Sequence, residues 1–219
     1  MDPNFWLERW QNHDIGFHQP KVQPALETFW PRLGVGSGAT VLVPLSGKSL
    51  DMVWLAERGY TVVGAELSEL AVDEFFAERG VQPDVRETAG FIVKSHDAIT
   101  LWCGDFFALD RRALPPIDAL YDRAALVALP NDMQPRYAAK IAELLPTERQ
   151  VLLIGLDYNE REMSGPPFAI PQPRVHALFE PDFEVDVIDV RDGLAKADHL
   201  VKRGVTRLEE TTYILKRRA

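Results

Sequence analysis

The apolar positions of this chain cluster into short runs set apart by amphipathic stretches. The first run, TVLVPL at 40–45, is apolar enough to be a strand buried on both faces. TVVGAEL at 61–67, ITLWC at 99–103, IDALYD at 117–122 and QVLLIGL at 150–156 read as further strands. A weaker one is expected at 91–94, and two more at 183–191 and 208–216. Between them the spacing changes to a helical one. Helices are predicted over 23–31, over 50–58 with Gly59 as the stop, from Ser68 to about residue 79, over 133–145 and near 174–179. The chain opens with one more, because Asp2 can cap it and Pro3 suits its first position. Trp6 and Trp10, four apart, share a face of that helix.

Strand and helix alternate at least four times, which predicts a mostly parallel sheet with helices on both faces. The last two strands lack a clear helix between them and are expected to pair as an antiparallel hairpin around a long loop at 191–207. Prolines and glycines are scattered as punctuation, with a Pro-rich loop at 164–173, so one domain over 1–219 is expected.

Composition narrows the function. Lys plus Arg number 24 against 33 Asp plus Glu, a net charge of −9. Such a surface does not suit nucleic-acid phosphates. The single cysteine, Cys103, can form neither an internal disulfide nor a cysteine zinc site, as befits a reducing cytoplasm. No apolar run approaches the roughly 20 residues of a membrane helix. The five histidines show no ligand spacing, so no metal is expected.

Two glycine motifs invite a phosphate reading, and neither fits. The glycines of 34–38 (GVGSG) precede the first strand, whereas a dinucleotide turn must come after it; they read as a flexible connection. The turn that does come after it, Ser46-Gly47-Lys48-Ser49, lacks the first glycine of a P-loop, since position 42 is Leu. The second strand is more telling. It ends at Glu66, about 20 residues beyond Leu45, where an acid can accept both ribose hydroxyls of a nucleoside. Asp105 and Asp122-Arg123 follow two later strands, at the sheet edge where ligands bind. The bland alternatives are a loop acid for Asp105 and an ion pair with Asp122 for Arg123. Trp6, Trp10 and Phe17 are either core or a lid over an aromatic ligand.

These residues bring a family into view. The segments W-x3-W-x6-FHQ (6–19), VLVPLSGKSLDMVWLAERGYTVVGAELSE (41–69), YDRAALVAL (121–129), GPPFAIP (165–171) and LEETTYIL (208–215) resemble the thiopurine S-methyltransferases, nearly end to end. The resemblance implies a Rossmann-like methyltransferase fold, an α/β seven-stranded mostly parallel sheet with one antiparallel strand. It implies a methyl donor, S-adenosylmethionine, leaving as S-adenosylhomocysteine, and a small-molecule thiol as acceptor. By motif position Trp10 and Leu45 pack on the cofactor, Glu66 holds its ribose, and Asp105 and Phe106 lie by the adenine. Arg123 sits beside the cofactor and reaches the substrate. Phe17, Pro167 and Phe168 border the substrate, and residues 1–22 form a helix and lid. A second substrate arginine of the family has no matched position in 191–204, where His199 or a nearby arginine would fill the place. Ser46 and Asp105 stand where animal members often carry Cys and Ser.

The reaction implied is in-line displacement of the methyl group by a thiol or thiolate, which needs alignment and exclusion of water more than acid–base power. Arg123 would favour the thiolate; Asp105 or a water could take a proton. Resemblance to bacterial members adds selenium or tellurium compounds as possible acceptors, in detoxification. A monomer is expected. The competing readings are another small-molecule methyltransferase and a nucleoside-binding module without turnover.

Overall fold

The computed structural model describes residues 2–219, which form two compact units, 2–121 and 122–219. In the first, α1 (Pro3–Gln11) starts as its sequence predicts, with the Asp2 carboxylate accepting from the Asn4 amide at 2.9 Å and Pro3 in the first turn. A short α2 (Pro24–Phe29) runs into a 3-10 turn at Trp30–Leu33. Then come β1 (Thr40–Pro44), α3 (Leu50–Glu57), β2 (Thr61–Glu66) and α4 (Glu69–Ala77), each within a residue or two of its predicted bounds. Ser49 and Ser68 cap α3 and α4 through their hydroxyls. The unit continues with β3 (Asp84–Thr88), β4 (Phe91–His96), β5 (Ile99–Cys103) and β6 (Ala119–Arg123), the last of which crosses into the second unit.

Strand order in the first unit is β3-β4-β5-β2-β1-β6. β1 is parallel to β2 and β6, and β2 to β5, whereas β3–β4 and β4–β5 are antiparallel. Register fixes where the parallel strands finish: Pro44 pairs with Ala65, and Glu66 with Cys103, so β1, β2 and β5 end level. Two buried lysines grip α4. Lys48 Nζ lies 2.7 Å from Glu74 and 2.6 Å from Glu78, and Lys94 of β4 donates to Glu69 and Asp73. Burial alone would lower the Lys48 pKa, but the two carboxylates raise it. Buried Asp51 accepts from the Gln23 amide at 2.8 Å and the Tyr121 hydroxyl at 2.9 Å, pinning the chain where the N-terminal segment enters the body of the unit.

The second unit holds α5 (Gln134–Leu144), β7 (Gln150–Asp157), α6 (Gln172–Phe179), β8 (Phe183–Asp192), α7 (Asp198–Val201) and β9 (Glu209–Arg217). β9 lies between β7 and β8 and is antiparallel to both, so the expected terminal hairpin forms. Its 191–207 connection is not a plain loop, since it contains α7 and a 3-10 turn at Leu194–Lys196.

The α/β class is the one expected, but the strand count differs. Nine strands are described rather than seven, and antiparallel pairing occurs in both units rather than at one strand. Eight of the nine match the strands read from the sequence pattern, and the one it does not show is β3. Its Asp84, Arg86 and Glu87 are exposed, so no apolar alternation marks it, and it is held by its backbone ladder to β4. Among the described residues no helix is long and apolar enough to cross a membrane.

Candidate functional site

In the first unit the level ends of β1, β2 and β5 bring Leu45, Glu66 and Asp105 to one edge. Glu66 organises them. Its carboxylate is only 6% exposed and accepts from the Gly47 amide at 2.7 Å and the Ser68 amide at 2.9 Å. Its own carbonyl accepts from the Gly104 amide at 2.8 Å. Burial raises the Glu66 pKa, and the backbone donors at Ser68, Gly47 and Leu67 pull it back down. A buried carboxylate fixed by amides keeps further lone pairs for a diol.

The turn after β1 is unusual in its backbone. Leu45 has φ +46° and Gly47 φ +51°. A left-handed leucine costs on the order of 1–2 kcal/mol, and such strain gathers at ligand sites. A Cβ on Gly47 would stand 3.1 Å from Trp10 Cζ2, so the bare glycine admits the indole. Trp10 is 2% exposed, and Phe17 meets both Trp10 and Trp6 edge to face at 5.5 Å. The N-terminal aromatic residues thus form one cluster that reaches the Leu45–Gly47 turn through Trp10, with Trp10 buried and Phe17 half-buried. Ser46 Oγ is buried and has no hydrogen-bond partner. Lys48, the residue that invites a P-loop reading, is committed to Glu74 and Glu78.

After β5, exposed Asp105 caps a 3-10 turn by accepting from the Phe107 amide at 2.9 Å, and Phe106 beside it is buried. This edge thus offers an apolar wall (Leu45, Trp10, Phe106), a fixed carboxylate (Glu66) and an outer acid (Asp105). These groups fit a nucleoside-bearing cofactor: the Gly47 cradle that a Cβ would crowd, and the partnerless Ser46 hydroxyl, both lie in the turn.

In the second unit Arg123 ends β6, and the next residue, Ala124, has φ +64°, a left-handed non-glycine just after a strand, as Leu45 is after β1. Asp122 is 1% exposed; it accepts from Tyr137 Oη at 2.7 Å and the Leu126 amide at 3.2 Å. Burial pushes its pKa up to about 6 against these bonds. The Asp122 carboxylate thus serves the fold of 122–137. Burial lowers the His199 pKa, the charges of Arg203 and Arg123 lower it further, and Asp198 opposes them. Pro167 and Phe168 are half-buried, and the loop carrying them is anchored by the Phe168 amide to the Val127 carbonyl at 2.6 Å.

Sequence reasoning overlooked the donors Gly47 and Ser68, because backbone amides leave no residue signature. It also left Arg203 unassigned within a segment that has no hydrophobic period. Among the described residues no group of three or more His, Cys, Asp or Glu could hold a metal ion.

A family model described as thiopurine S-methyltransferase (TPMT) matches residues 1–218. A thiopurine S-methyltransferase of Methylococcus capsulatus (strain Bath) is 47% identical over 220 residues, spanning 100% of this chain and 99% of that protein. One of Pseudomonas fluorescens (strain Pf0-1) is also 47% identical, over 97% of this chain and 98% of its own. Among solved structures, the 1,6-didemethyltoxoflavin-N1-methyltransferase of Burkholderia thailandensis, with 1,6-didemethyltoxoflavin and S-adenosylhomocysteine bound, superposes with a TM-score of 0.67 at 16% identity, covering 99% of this chain and 87% of that one. An S-adenosylmethionine-dependent methyltransferase of Methanosarcina mazei gives 0.63 at 13% identity, over 90% and 99%. These two likenesses establish the fold.

Proposed function

Because the chain belongs to the thiopurine S-methyltransferase family, we propose that it transfers the methyl group of S-adenosylmethionine to the sulfur of aromatic or heterocyclic thiols. The observation that carries this reading is the buried Glu66 carboxylate, held by two amides at the end of β2 where the family motif requires an acid.

Bound S-adenosylmethionine supplies a methyl group activated on a sulfonium. The chain's own residues do the rest. Glu66 accepts from the ribose hydroxyls. Trp10 and Leu45 pack against the cofactor and shed water, and Asp105 and Phe106 flank the adenine. Arg123 stabilises the thiolate form of the acceptor through its fixed positive charge. Phe17, Pro167 and Phe168 border a flat substrate. Neutralising a thiolate against a sulfonium needs aligned reactants in a dry site rather than a strong base. Residues 1–219 act as one methyltransferase domain, with 1–22 as its lid, in a cytoplasmic monomer that does not bind nucleic acid.

Calorimetric titration with S-adenosylhomocysteine, and then methyl transfer from labelled S-adenosylmethionine to a panel of aromatic thiols, tests the reading. Tight binding with thiol methylation is expected. Binding without transfer to any thiol would leave a nucleoside-binding module and end the enzyme reading.

A further inference from the structure

The 165–168 loop cannot hold its own shape. Pro166 and Pro167 have no N–H to donate, and Gly165 has φ +79°. Its three successive carbonyls are nevertheless all bound, each by a side chain. The Arg203 guanidinium donates to the Pro166 carbonyl at 2.6 Å and the Gly165 carbonyl at 3.2 Å. The Tyr158 hydroxyl donates to the Pro167 carbonyl at 2.6 Å. Arg203 is itself set on a firm base. It comes just after α7, whose Leu200 packs with Val205 and Leu208 against Tyr158, Met163 and Ala169. The Thr206 amide and hydroxyl both donate to the Glu162 carboxylate, at 2.9 and 2.7 Å. A packed, hydrogen-bonded brace thus presents a planar two-pronged donor to a loop whose two central residues, both prolines, have no backbone donor.

We propose that Arg203 is a positioning residue that fixes the 165–168 loop and thereby selects which thiols the enzyme accepts. The proposal rests on the reading of this loop as a border of the substrate. Arg203 touches the loop backbone, so its action on the substrate passes through Pro167 and Phe168. An exposed pair of hydrogen bonds adds little to global stability, whereas Phe168, tied by its amide to the Val127 carbonyl, follows a backbone that Arg203 holds on its other side at Gly165 and Pro166. Lysine could reach one carbonyl but not bridge two.

The test compares Arg203→Ala, Arg203→Lys and Phe168→Ala across small and bulky aromatic thiols, with S-adenosylhomocysteine affinity and Tm on the same preparations. Arg203→Ala should raise KM for bulky thiols about five- to thirtyfold, the scale of one or two hydrogen bonds. Its kcat and cofactor affinity should stay within about twofold, and its Tm within about 4 °C. Arg203→Lys should recover part of the KM. Hydrogen exchange at the Phe168 amide should quicken in Arg203→Ala, a readout independent of turnover. Unchanged KM in the Arg203 variants with a raised KM in Phe168→Ala would overturn the Arg203 role and leave the loop's role standing. Unchanged KM in all three would remove both. Unchanged Phe168 exchange, or an equal loss for every thiol and the cofactor with a large fall in Tm, would also overturn the proposal. If Arg203→Ala fails to fold, Arg203→Lys carries the same comparisons.

Discussion

Replacing Glu66 separates its two jobs, because its carboxylate binds inward to two amides and is assigned outward to a ribose. In Glu66→Ala the Gly47 and Ser68 amides lose their acceptor in a buried setting. Leaving a buried donor unsatisfied costs about 1–3 kcal/mol, so two cost about 2–6 kcal/mol unless water enters. For a chain of this size that corresponds to a Tm lower by roughly 5–20 °C. Losing charge-assisted bonds to the ribose removes about 1.5–3 kcal/mol of cofactor binding, about ten- to a hundredfold in affinity. Glu66→Gln is the sharper probe. Its amide oxygen can accept from one backbone donor, while its NH2 opposes the other, so it should keep much of the Tm but little of the affinity. Thermal unfolding and calorimetry with S-adenosylhomocysteine read the two quantities separately. Affinity within twofold of the parent in a folded Gln variant would refute the ribose assignment, and an unchanged Tm in the Ala variant would refute the role of the two amides.

Three other outcomes are expected. Arg123→Ala should slow methyl transfer roughly 30- to 150-fold, the effect of losing about 2–3 kcal/mol of transition-state stabilisation, with Arg123→Lys in between; normal turnover with a lowered Tm would make Arg123 structural. Gly47→Ala places a Cβ against Trp10 at φ +51° and should weaken cofactor binding about tenfold, while Gly36→Ala, with open space around it, should stay within twofold; calorimetry on both decides, and equal affinities would dismiss the turn. The native Asp122 pKa of about 6 lies above its ordinary 3.8. The folded state therefore holds the proton more tightly, and stability falls by on the order of 3 kcal/mol as pH rises from about 4 to 6, then levels off. Urea titrations across that range should show a shallower fall in Asp122→Asn, with Glu66 contributing the same sign in both proteins; identical slopes would contradict the burial argument.

A sequence discloses an element to the degree that burial constrains its side chains. β1 and β2 are legible because their inner residues are nearly all apolar and nearly all buried. β3 is not, because an exposed edge strand places no demand on side-chain polarity. α7 escapes notice for a related reason: four residues are too few to display a period. At the candidate site Glu66 is legible through its place after β2, but its amide donors belong to the backbone. Lys48 misleads in the opposite sense. Its side chain suggests a phosphate, and two carboxylates on and just beyond α4, remote in sequence, claim it instead. Asp122 and Arg123 look like an ion pair because they are adjacent, yet the Asp122 carboxylate receives Tyr137, fifteen residues on.

Glu66 joins the loops after β1, β2 and β5 through Gly47, Ser68 and Gly104. Those three loops therefore cannot be tuned one at a time. Substitutions in any two of them should combine non-additively, with coupling energies of about 0.5–3 kcal/mol in a double-mutant cycle. A variant library that diversifies a single loop would sample mostly losses, and improved cofactor variants would be found only where changes at 45–48, 67–68 and 104–107 are drawn together.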